Sequence, residues 1–340
     1  MYFMTNKNFF FIFTCEKIFE KDNKFYCENI DIKTIVEGLS VNNNIIVVSR
    51  FTKNEKKYHI NINKIYSLKN FFLFFLKIFG QKKRRFLFID IHPFNFIFFL
   101  IGFFIKKKNF LFLRSDGFKE YEYILGKKWV WIYNIMFYIM TKSSSIISCN
   151  ELLSKGKSQY LIKPSELEQE WFENKKKPNL ENPKLLYVGR VKPEKGIFSL
   201  VDILKSARDN LKLTIVGDGD ISKLQLNNQI ISKGFINESS ELIKEYDENN
   251  IFILPSFTEA QPKVIYEALA RKRPVIIFPE ITHVLGNLRG VFVSRREYKN
   301  LNETVHYILK NYSKIQLEIE KNNLPSKEMF LNDFIKFLNK

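Results

Sequence analysis

The sequence predicts an α/β protein with two Rossmann-like, doubly wound parallel-sheet domains that face each other across a cleft. Short apolar runs alternate with helical patterns in both halves of the chain, which is typical of βαβ units and parallel sheets. The 340 residues also exceed the roughly 250–300 residues that one hydrophobic core supports. We therefore expect two domains of comparable size, with ligands bound at the carboxyl ends of their strands.

Eleven apolar runs are predicted strands. In the first half they are Phe9–Phe13, Asn44–Ser49, Phe86–Ile91, Phe110–Ser115 and Ser145–Cys149. In the second half they are Lys184–Gly189, Leu211–Gly217, Ile230–Phe235, Asn250–Ser256, Pro274–Phe278 and Gly290–Val293. Residues 166–183 are rich in Glu, Lys, Asn and Pro and lack an apolar period, so we expect a linker between domains at 1–165 and 184–324.

The formal charge of +18 and the 35 Phe residues are the unusual features of the composition. Residues 51–150 contain 18 Lys and Arg against 5 Asp and Glu, and so carry most of the excess charge. Such a region suggests an anionic partner: phosphates, a lipid surface or nucleic acid. An AT-rich genome would explain the abundance of Phe, Lys, Asn and Ile, but not the scarcity of acids in one stretch.

Cysteine usage and hydropathy indicate a cytoplasmic protein. Cys15, Cys27 and Cys149 form no metal or CxxC spacing, which fits a reducing compartment, and no secretory signal is apparent. Residues 86–105 are long enough to span a membrane, but Asp90, His92 and Pro93 interrupt them, which favours a strand followed by a helix. Residues 69–79 are too short to span but could lie in a membrane interface.

Two candidate site loops follow predicted strands of the second half. The loop Gly189–Gly196 carries Arg190 and Lys195, two cations that could cradle a diphosphate; alone, this pattern fits a solvated turn equally well. The second loop precedes a predicted helix with Pro262 at its first position. Glu259 then lies before this helix and Glu267 on its second turn, where carboxylates can bind sugar hydroxyls beside free backbone N–H groups.

The order and spacing of these residues resemble the retaining nucleotide-sugar glycosyltransferases of glycosyltransferase family 4, which have the GT-B fold. The resemblance covers about residues 184–294. Its motifs are the loop from Gly189 to Gly196, the pair Glu259 and Glu267 with seven residues between them, and Gly217-Asp218-Gly219. A dinucleotide-binding reading of the last motif is disfavoured because the third glycine of GxGxxG is absent.

The resemblance implies roles for individual residues. Arg190 and Lys195 would neutralise the donor diphosphate, Glu267 would hold the ribose hydroxyls, and Glu259 would engage the donor sugar. The set expected to contact the nucleotide-sugar, which is a co-substrate, comprises Gly189, Arg190, Lys195, Gly217, Gly219, Phe235, Glu259, Ala260, Gln261, Pro262, Lys263 and Glu267. No cofactor and no essential metal are expected, because the two cations would stabilise the departing diphosphate.

The family pattern also implies an acceptor-binding first domain, a donor-binding second domain and a closing helix at 325–340 that returns to the first domain. His92 and Asp116 end predicted strands and are candidate catalytic residues. The alternative for His92 is a strand-end histidine whose ring is hydrogen-bonded to the backbone, and the alternative for Asp116 is an aspartate in a turn before glycine. The chain departs from the family at Ala260-Gln261, at residues 278–286 and at Lys272, which stands where members usually carry Gly and could crowd the cleft.

The function expected from the resemblance is retaining transfer of a sugar from a nucleoside-diphosphate sugar to a glycan or lipid-linked acceptor. The setting would be polysaccharide, lipopolysaccharide or glycolipid synthesis at the cytoplasmic face of the inner membrane, with peripheral contact to anionic lipid. The alternative is a basic nucleic-acid- or membrane-binding protein on the same scaffold without transferase activity. Nucleic-acid binding is not expected, because no recognition signature is visible. Phosphorylase or epimerase chemistry is a third possibility, without a supporting motif.

Overall fold

The chain divides into two compact units, Met1–Pro164 with Met329–Lys340 and Ser165–Glu328. The computed structural model describes residues 9–67, 84–104, 108–205, 211–224 and 226–339. The interfacial prediction for residues 69–79 lies outside these ranges. Among the described residues, no helix reaches the length and hydropathy that a membrane span requires.

The first unit alternates strands and helices. Its elements are β1 (Phe9–Lys21), β2 (Lys24–Cys27), α1 (Ile30–Ser40), β3 (Asn44–Thr52), β4 (Tyr58–Ile60), β5 (Ile65–Tyr66), β6 (Arg84–Ile89), α2 (Pro93–Phe104), β7 (Lys108–Leu113), α3 (Gly117–Leu125), α4 (Val130–Lys142), β8 (Ser145–Ser148), α5 (Glu151–Ser154) and β9 (Tyr160–Leu161). A strand followed by a helix therefore replaces the candidate membrane span, as predicted.

Parallel pairing in the first unit runs in the order β5-β3-β1-β6-β7-β8-β9. The strands are rich in Phe because both faces of a parallel sheet are covered. Strand order reverses between β1 and β6, so a crevice for ligands is expected at the carboxyl ends of these two strands.

Strand β1 is longer than the sequence predicts. Its pairing with β3 shifts register between Phe13 and Lys17, and the strand then continues to Lys21. Asp22 and Asn23 both have positive φ and turn the chain into the antiparallel strand β2, a geometry that Asp and Asn tolerate. β1 and β2 therefore form a hairpin.

The second unit is a complete doubly wound domain. Its elements are β10 (Lys184–Val188), α6 (Ile197–Lys205), β11 (Lys212–Val216), β12 (Ile230–Gly234), α7 (Ser239–Glu248), β13 (Ile251–Leu254), α8 (Lys263–Ala270), β14 (Val275–Ile277), β15 (Val291–Val293), α9 (Tyr298–Lys310) and α10 (Tyr312–Ile319). Its six parallel strands run in the order β12-β11-β10-β13-β14-β15. The order reverses between β10 and β13, which locates the expected ligand crevice.

The segment predicted as a linker packs against the second unit. Leu167 and Trp171 are buried in its core. The buried guanidinium of Arg271 donates hydrogen bonds to the carbonyl oxygens of Trp171 and Glu173, at 3.1 and 2.6 Å. The segment lacks an apolar period because it is irregular, with a single 3₁₀ turn at Gln169–Phe172, so periodicity could not reveal its burial.

The last helix, α11 (Lys327–Leu338), packs on the first unit. Its buried Phe334 and Phe337 meet the rings of Phe112 and Phe110 edge-on, with centroids 5.2 and 5.6 Å apart.

All eleven strands that the sequence predicts are present in the structure, whereas β2, β4, β5 and β9 were not predicted. These strands have only two to four residues, too few for a reliable alternation pattern.

Candidate functional site

The two candidate loops of the second unit meet at the carboxyl ends of β10 and β13. Gly196 has a φ of +66°, and a Cβ there would collide with the carbonyl oxygen of Pro255. The backbone N–H of Phe257 donates to the carbonyl oxygen of Glu194 at 3.0 Å. Because glycine alone fits this close approach, Gly196 fixes the first loop against the second.

The loops bring Lys195 and Glu259 together. The Lys195 Nζ lies 2.6 Å from Oε1 of Glu259, and the buried Ser256 hydroxyl donates to the same oxygen at 2.7 Å. The two charged side chains are only 19% and 11% exposed. His283 Nε2 lies 2.7 Å from the carbonyl oxygen of Glu259 and holds the second loop from its other side. The predicted phosphate-binding cation and sugar-binding carboxylate thus form one ion pair.

Arg190 presents its charge to solvent. Its guanidinium is exposed and makes no hydrogen bond or ion pair with any described residue. Its carbonyl oxygen accepts a 2.7 Å hydrogen bond from the hydroxyl of the buried Tyr187. The backbone is therefore held while the side chain is available to an anion.

The glycines of the third motif serve backbone packing. A Cβ on Gly217 would collide with the carbonyl oxygen of Gly189, and a Cβ on Gly219 would come 2.5 Å from that of Val191. Val191 N–H also donates to the carbonyl oxygen of Asp218 at 2.7 Å. Their small size is required for the contact between the two loops, whatever ligand binds there.

Glu267 lies on the second turn of α8, where the sequence predicts it. The hydroxyl of the buried Tyr246 donates to Glu267 Oε2 at 2.8 Å. Burial raises the pKa of Glu267, and the hydrogen bond from Tyr246 and the charge of Lys263 oppose this effect. One carboxylate oxygen therefore has a fixed partner, and Oε1 is the oxygen that a hydroxyl could approach.

The remaining predicted contact residues border the start of α8 or the end of β12. The sequence predicts Pro262 as the first residue of this helix. In the structure the helix begins at Lys263, and Pro262 is its N-cap, because its ψ of 107° is extended and not helical. Gln261 donates to the hydroxyl of Tyr266, and Lys263 Nζ lies 3.6 Å from a Glu166 oxygen. Ala260 precedes them in the loop. Phe235 follows β12 and is 40% exposed.

Arg296 is a supporting residue that the sequence analysis missed. Its NH2 donates to the carbonyl oxygens of Pro255 and Ser256 at 2.6 and 3.2 Å. Its guanidinium also lies over the rings of Phe257 and Phe278, 4.1 and 4.4 Å from their centroids. Its position after β15, at the same edge of the sheet, was the signal that could have identified it.

Lys272 does not crowd the candidate site. It follows the carboxyl end of α8, at the opposite end of this helix from Lys263, and its ammonium pairs with Glu320. Its φ of +55° and the hydrogen bond from Arg273 N–H to Ala268 form a Schellman ending, which explains why a glycine is common there. The replacement of the usual glycine by Lys272 therefore changes the end of α8 and not the candidate site.

We expect Lys272→Gly to stabilise the second unit by about 1 kcal/mol, because it removes the strain of a Cβ in the left-handed region. The lost ion pair with Glu320 is partly exposed and contributes little. Urea unfolding measures the free energy, and donor kinetics should be unchanged. A lower stability would contradict this account of residue 272.

His92 and Asp116 belong to the first unit. His92 Nδ1 accepts the backbone N–H of Phe94 at 3.1 Å, so Nε2 carries the proton of the neutral ring. Burial, together with the charge of Arg50, lowers the pKa of His92 to about 4, and Asp90 opposes this shift. His92 is therefore a neutral hydrogen-bond donor at physiological pH.

Asp116 is the N-cap of α3. Its Oδ1 accepts the backbone N–H groups of Phe118 and Lys119 at 3.2 and 3.3 Å. Its Oδ2 lies 3.7 Å from the Lys119 ammonium. These contacts match the alternative that the sequence left open, an aspartate in a turn before glycine. Helix capping is a sufficient reason for an aspartate at this position, and no ligand contact is needed to explain it.

The His92 environment predicts a pH effect on stability. Between pH 6.5 and about 4 the unfolded chain binds a proton at this residue and the native protein does not, so native stability falls as pH decreases. We expect His92→Gln to make the loss of unfolding free energy between pH 7 and pH 4.5 smaller by about 1–2 kcal/mol. This value is lower than the full pKa shift would give, because His92 is partly in contact with solvent. Urea unfolding at pH 7 and pH 4.5 measures it. The control His306→Gln changes an exposed histidine and should keep the wild-type pH profile.

The sequence analysis also missed a partly buried charge cluster next to His92. Asp90, with a φ of +63°, accepts hydrogen bonds from Arg114 Nε at 3.0 Å and NH2 at 2.5 Å. Arg114 NH1 lies 3.8 Å from Asp31 Oδ2. Acids and arginines that follow neighbouring parallel strands were the available signal, since those strand ends share one edge of the sheet. The cluster fixes the chain at the start of the β6–α2 connection, which carries His92.

The second half of the chain is similar in sequence to known glycosyltransferases. Residues 168–324 match the sequence model of the family described as glycosyl transferases group 1. The chain is 39% identical over 93 residues to TuaC of Bacillus subtilis, a protein named for teichuronic acid biosynthesis; this match covers 27% of the chain and 23% of TuaC. It is 28% identical over 142 residues to the capsular polysaccharide biosynthesis glycosyltransferase CapM of Staphylococcus aureus, covering 37% of each.

Solved structures match over nearly the whole chain. HepE of Anabaena, in complex with UDP, gives a TM-score of 0.70 at 11% identity and covers 98% of this chain and 99% of its own. Sucrose-phosphate synthase of Thermosynechococcus elongatus gives 0.69 at 14% identity, with 98% coverage of both chains. The two parallel-sheet units therefore have the GT-B fold, and residues 168–324 are similar to the glycosyl transferases group 1 family.

Proposed function

We propose that this protein is a retaining glycosyltransferase that moves a sugar from a nucleoside-diphosphate sugar to an acceptor hydroxyl. The observation that carries the proposal is the ion pair between Lys195 and Glu259 at the strand-order reversal of the second unit, with the exposed cation Arg190 in the same loop as Lys195. HepE, which shares the fold, has crystal structures in complex with UDP and with UDP-glucose. Membership of family 4 is part of this proposal.

In the proposed reaction, the bond between the anomeric carbon and the diphosphate breaks as the acceptor oxygen bonds to that carbon. The acceptor hydroxyl passes its proton to the departing diphosphate, and the anomeric configuration is kept. Negative charge develops on the departing diphosphate, where positioned cations stabilise it most effectively. Arg190 and Lys195 are the groups proposed for this role, which makes an essential metal ion unnecessary in the proposal.

The two carboxylates would hold the donor. When a diphosphate approaches Lys195, the ammonium can exchange Glu259 for phosphate, which frees Glu259 to accept hydroxyls of the donor sugar. Ser256 keeps one oxygen of Glu259 oriented during this exchange. Glu267, restrained through Oε2 by Tyr246, would accept ribose hydroxyls at Oε1.

The first unit would bind the acceptor. We propose a glycan or lipid-linked acceptor of polysaccharide, lipopolysaccharide or glycolipid synthesis, met at the cytoplasmic face of the inner membrane. The excess of Lys and Arg in residues 51–150 supports contact with an anionic surface. Neutral His92 is proposed to donate a hydrogen bond from Nε2 to a sugar or acceptor oxygen.

The test is ligand-induced thermal stabilisation with UDP, GDP, UDP-glucose and GDP-mannose, repeated with EDTA. We expect one nucleotide and its sugar to raise the melting temperature with the logarithm of ligand concentration, with or without EDTA. Arg190→Ala should weaken this response, whereas Lys192→Ala, in the same loop but outside the proposed site, should keep it. No response to any nucleotide would overturn the donor site, and loss of the response in EDTA would overturn the metal-free proposal.

A further inference from the structure

Helix α4 is apolar on the side that faces solvent as well as on the side that faces the core. Its inner face buries Tyr133, Met136, Phe137 and Met140. Its outer face exposes Trp131, Ile135 and Tyr138 by 60%, 45% and 58%. These three residues are four and three positions apart, so they form one stripe along the helix. A surface helix ordinarily carries polar residues on that side.

The apolar surface continues onto neighbouring elements. Helix α2 contacts α4 and exposes Ile97 and Leu100 by 54% and 39%. Both helices connect parallel strands in the same direction along the sheet, so right-handed crossovers place them on the same side of it. Trp129, in the turn before α4, is 42% exposed. We call the surface formed by Ile97, Leu100, Trp129, Trp131, Ile135 and Tyr138 the α2/α4 face.

Lysines flank the α2/α4 face. Lys127 and Lys128 precede α4, and Lys142 ends it; all three are exposed, and none forms an ion pair with a described residue. Lys128 Nζ lies 6.0 Å from the Trp129 ring, and Lys142 Nζ lies 5.9 Å from the Tyr138 ring. Lys128 and Lys142 thus lie beside aromatic side chains of this face.

We infer that the α2/α4 face docks on an anionic lipid surface, with α4 lying in the plane of the interface. This inference deepens the proposed membrane location by naming the surface that makes the contact. Trp and Tyr favour the boundary between headgroups and acyl chains, and flanking lysines attract anionic headgroups. A second copy of the chain is a poorer occupant, since it would bring the same lysines against each other.

The tryptophans supply a direct readout. The chain has three, and Trp171 is buried in the second unit, whereas Trp129 and Trp131 are exposed on the α2/α4 face. Vesicles of phosphatidylglycerol and phosphatidylcholine should therefore shift the emission to shorter wavelength and carry the protein to the pellet at low salt. Pure phosphatidylcholine vesicles should do so at least about tenfold less, because they lack the anionic headgroups that attract Lys127, Lys128 and Lys142.

A triple variant and a matched control test whether vesicle binding depends on the α2/α4 face or on exposed apolar residues anywhere on the protein. Trp131→Ser/Ile135→Ser/Tyr138→Ser should reduce pelleting with the mixed vesicles at least about tenfold, because it removes most of the exposed stripe. The control Tyr307→Ser/Leu317→Ser changes residues of the second unit that are 57% and 61% exposed, and it should pellet like wild type. Trp129→Phe/Trp131→Phe should still pellet but lose the emission shift.

Equal pelleting of the triple variant and the control would overturn the inference, as would failure of the wild type to pellet at low salt. A dimer that the triple variant abolishes, with no vesicle binding, would assign the face to self-association instead. Nucleotide-induced thermal stabilisation of the same samples is independent of the face. Its loss in the wild type would count against the donor site, whereas its retention in the triple variant shows that the variant is folded.

Discussion

Lys195→Ala should lower the rate of donor turnover by about 30-fold to 1,000-fold, equivalent to about 2–4 kcal/mol of transition-state stabilisation. The substitution removes the ammonium that the loop contact between Gly196 and Pro255 places beside Glu259. In the proposed reaction this ammonium stabilises the departing diphosphate, so the loss should fall mainly on kcat. Initial rates of nucleotide release from the donor identified by thermal stabilisation measure it.

Two companion variants make this result specific. Lys192→Ala removes an exposed lysine of the same loop and should retain the wild-type rate. Glu259→Gln keeps the hydrogen bond from Ser256 but removes the charge that pairs with Lys195, so its defect should appear in sugar-donor turnover more than in binding of the free nucleotide. Native turnover by Lys195→Ala would show that this loop does not hold the diphosphate.

Arg271→Met should destabilise the second unit by about 3–5 kcal/mol. The Arg271 guanidinium pairs with Asp247 through Nε at 3.0 Å and NH2 at 2.7 Å, and both side chains are at most 3% exposed. Its removal leaves Asp247 with the weaker 3.4 Å contact to Arg273. It also removes the donor to the carbonyl oxygens of Trp171, Glu173 and Asn174, of which that of Trp171 is buried.

Urea unfolding followed by the emission of Trp171 measures this effect in a Trp129→Phe/Trp131→Phe background, where Trp171 is the remaining tryptophan of the three. The matched control is Arg289→Met, which removes an arginine that pairs with Glu318 on the surface, where the side chains are 51% and 41% exposed. The control should cost less than about 1 kcal/mol. Equal losses in the two variants would contradict the role assigned to the buried pair.

Local pattern explains which parts of the structure the sequence could predict. Strands such as β6, β7 and β13 are continuous apolar runs with buried side chains, so their composition identifies them. The extension of β1 past Phe13 could not be identified in this way, because polar and charged residues follow. It depends on the turn at Asp22 and Asn23 and on pairing with β2.

The same distinction holds within the candidate site. Spacing alone predicted Glu259 before a helix and Glu267 on its second turn, since both positions follow from one local segment. The role of Gly217 could not be predicted, because the atom that a Cβ would meet belongs to Gly189, in another loop. Asp116 has contacts within three residues of its own position, so its capping role was among the alternatives that the sequence offered.

The sequence by itself determined the two-unit α/β architecture and the two loops that carry Arg190, Lys195, Glu259 and Glu267, because apolar periodicity and glycine positions are local properties. The tertiary structure alone decided that Lys195 pairs with Glu259, 64 residues away, and that Arg271 anchors the segment before β10. It also decided that Lys272 lies at the far end of α8 from the site. These contacts depend on strand order and burial, which join side chains that no local pattern relates.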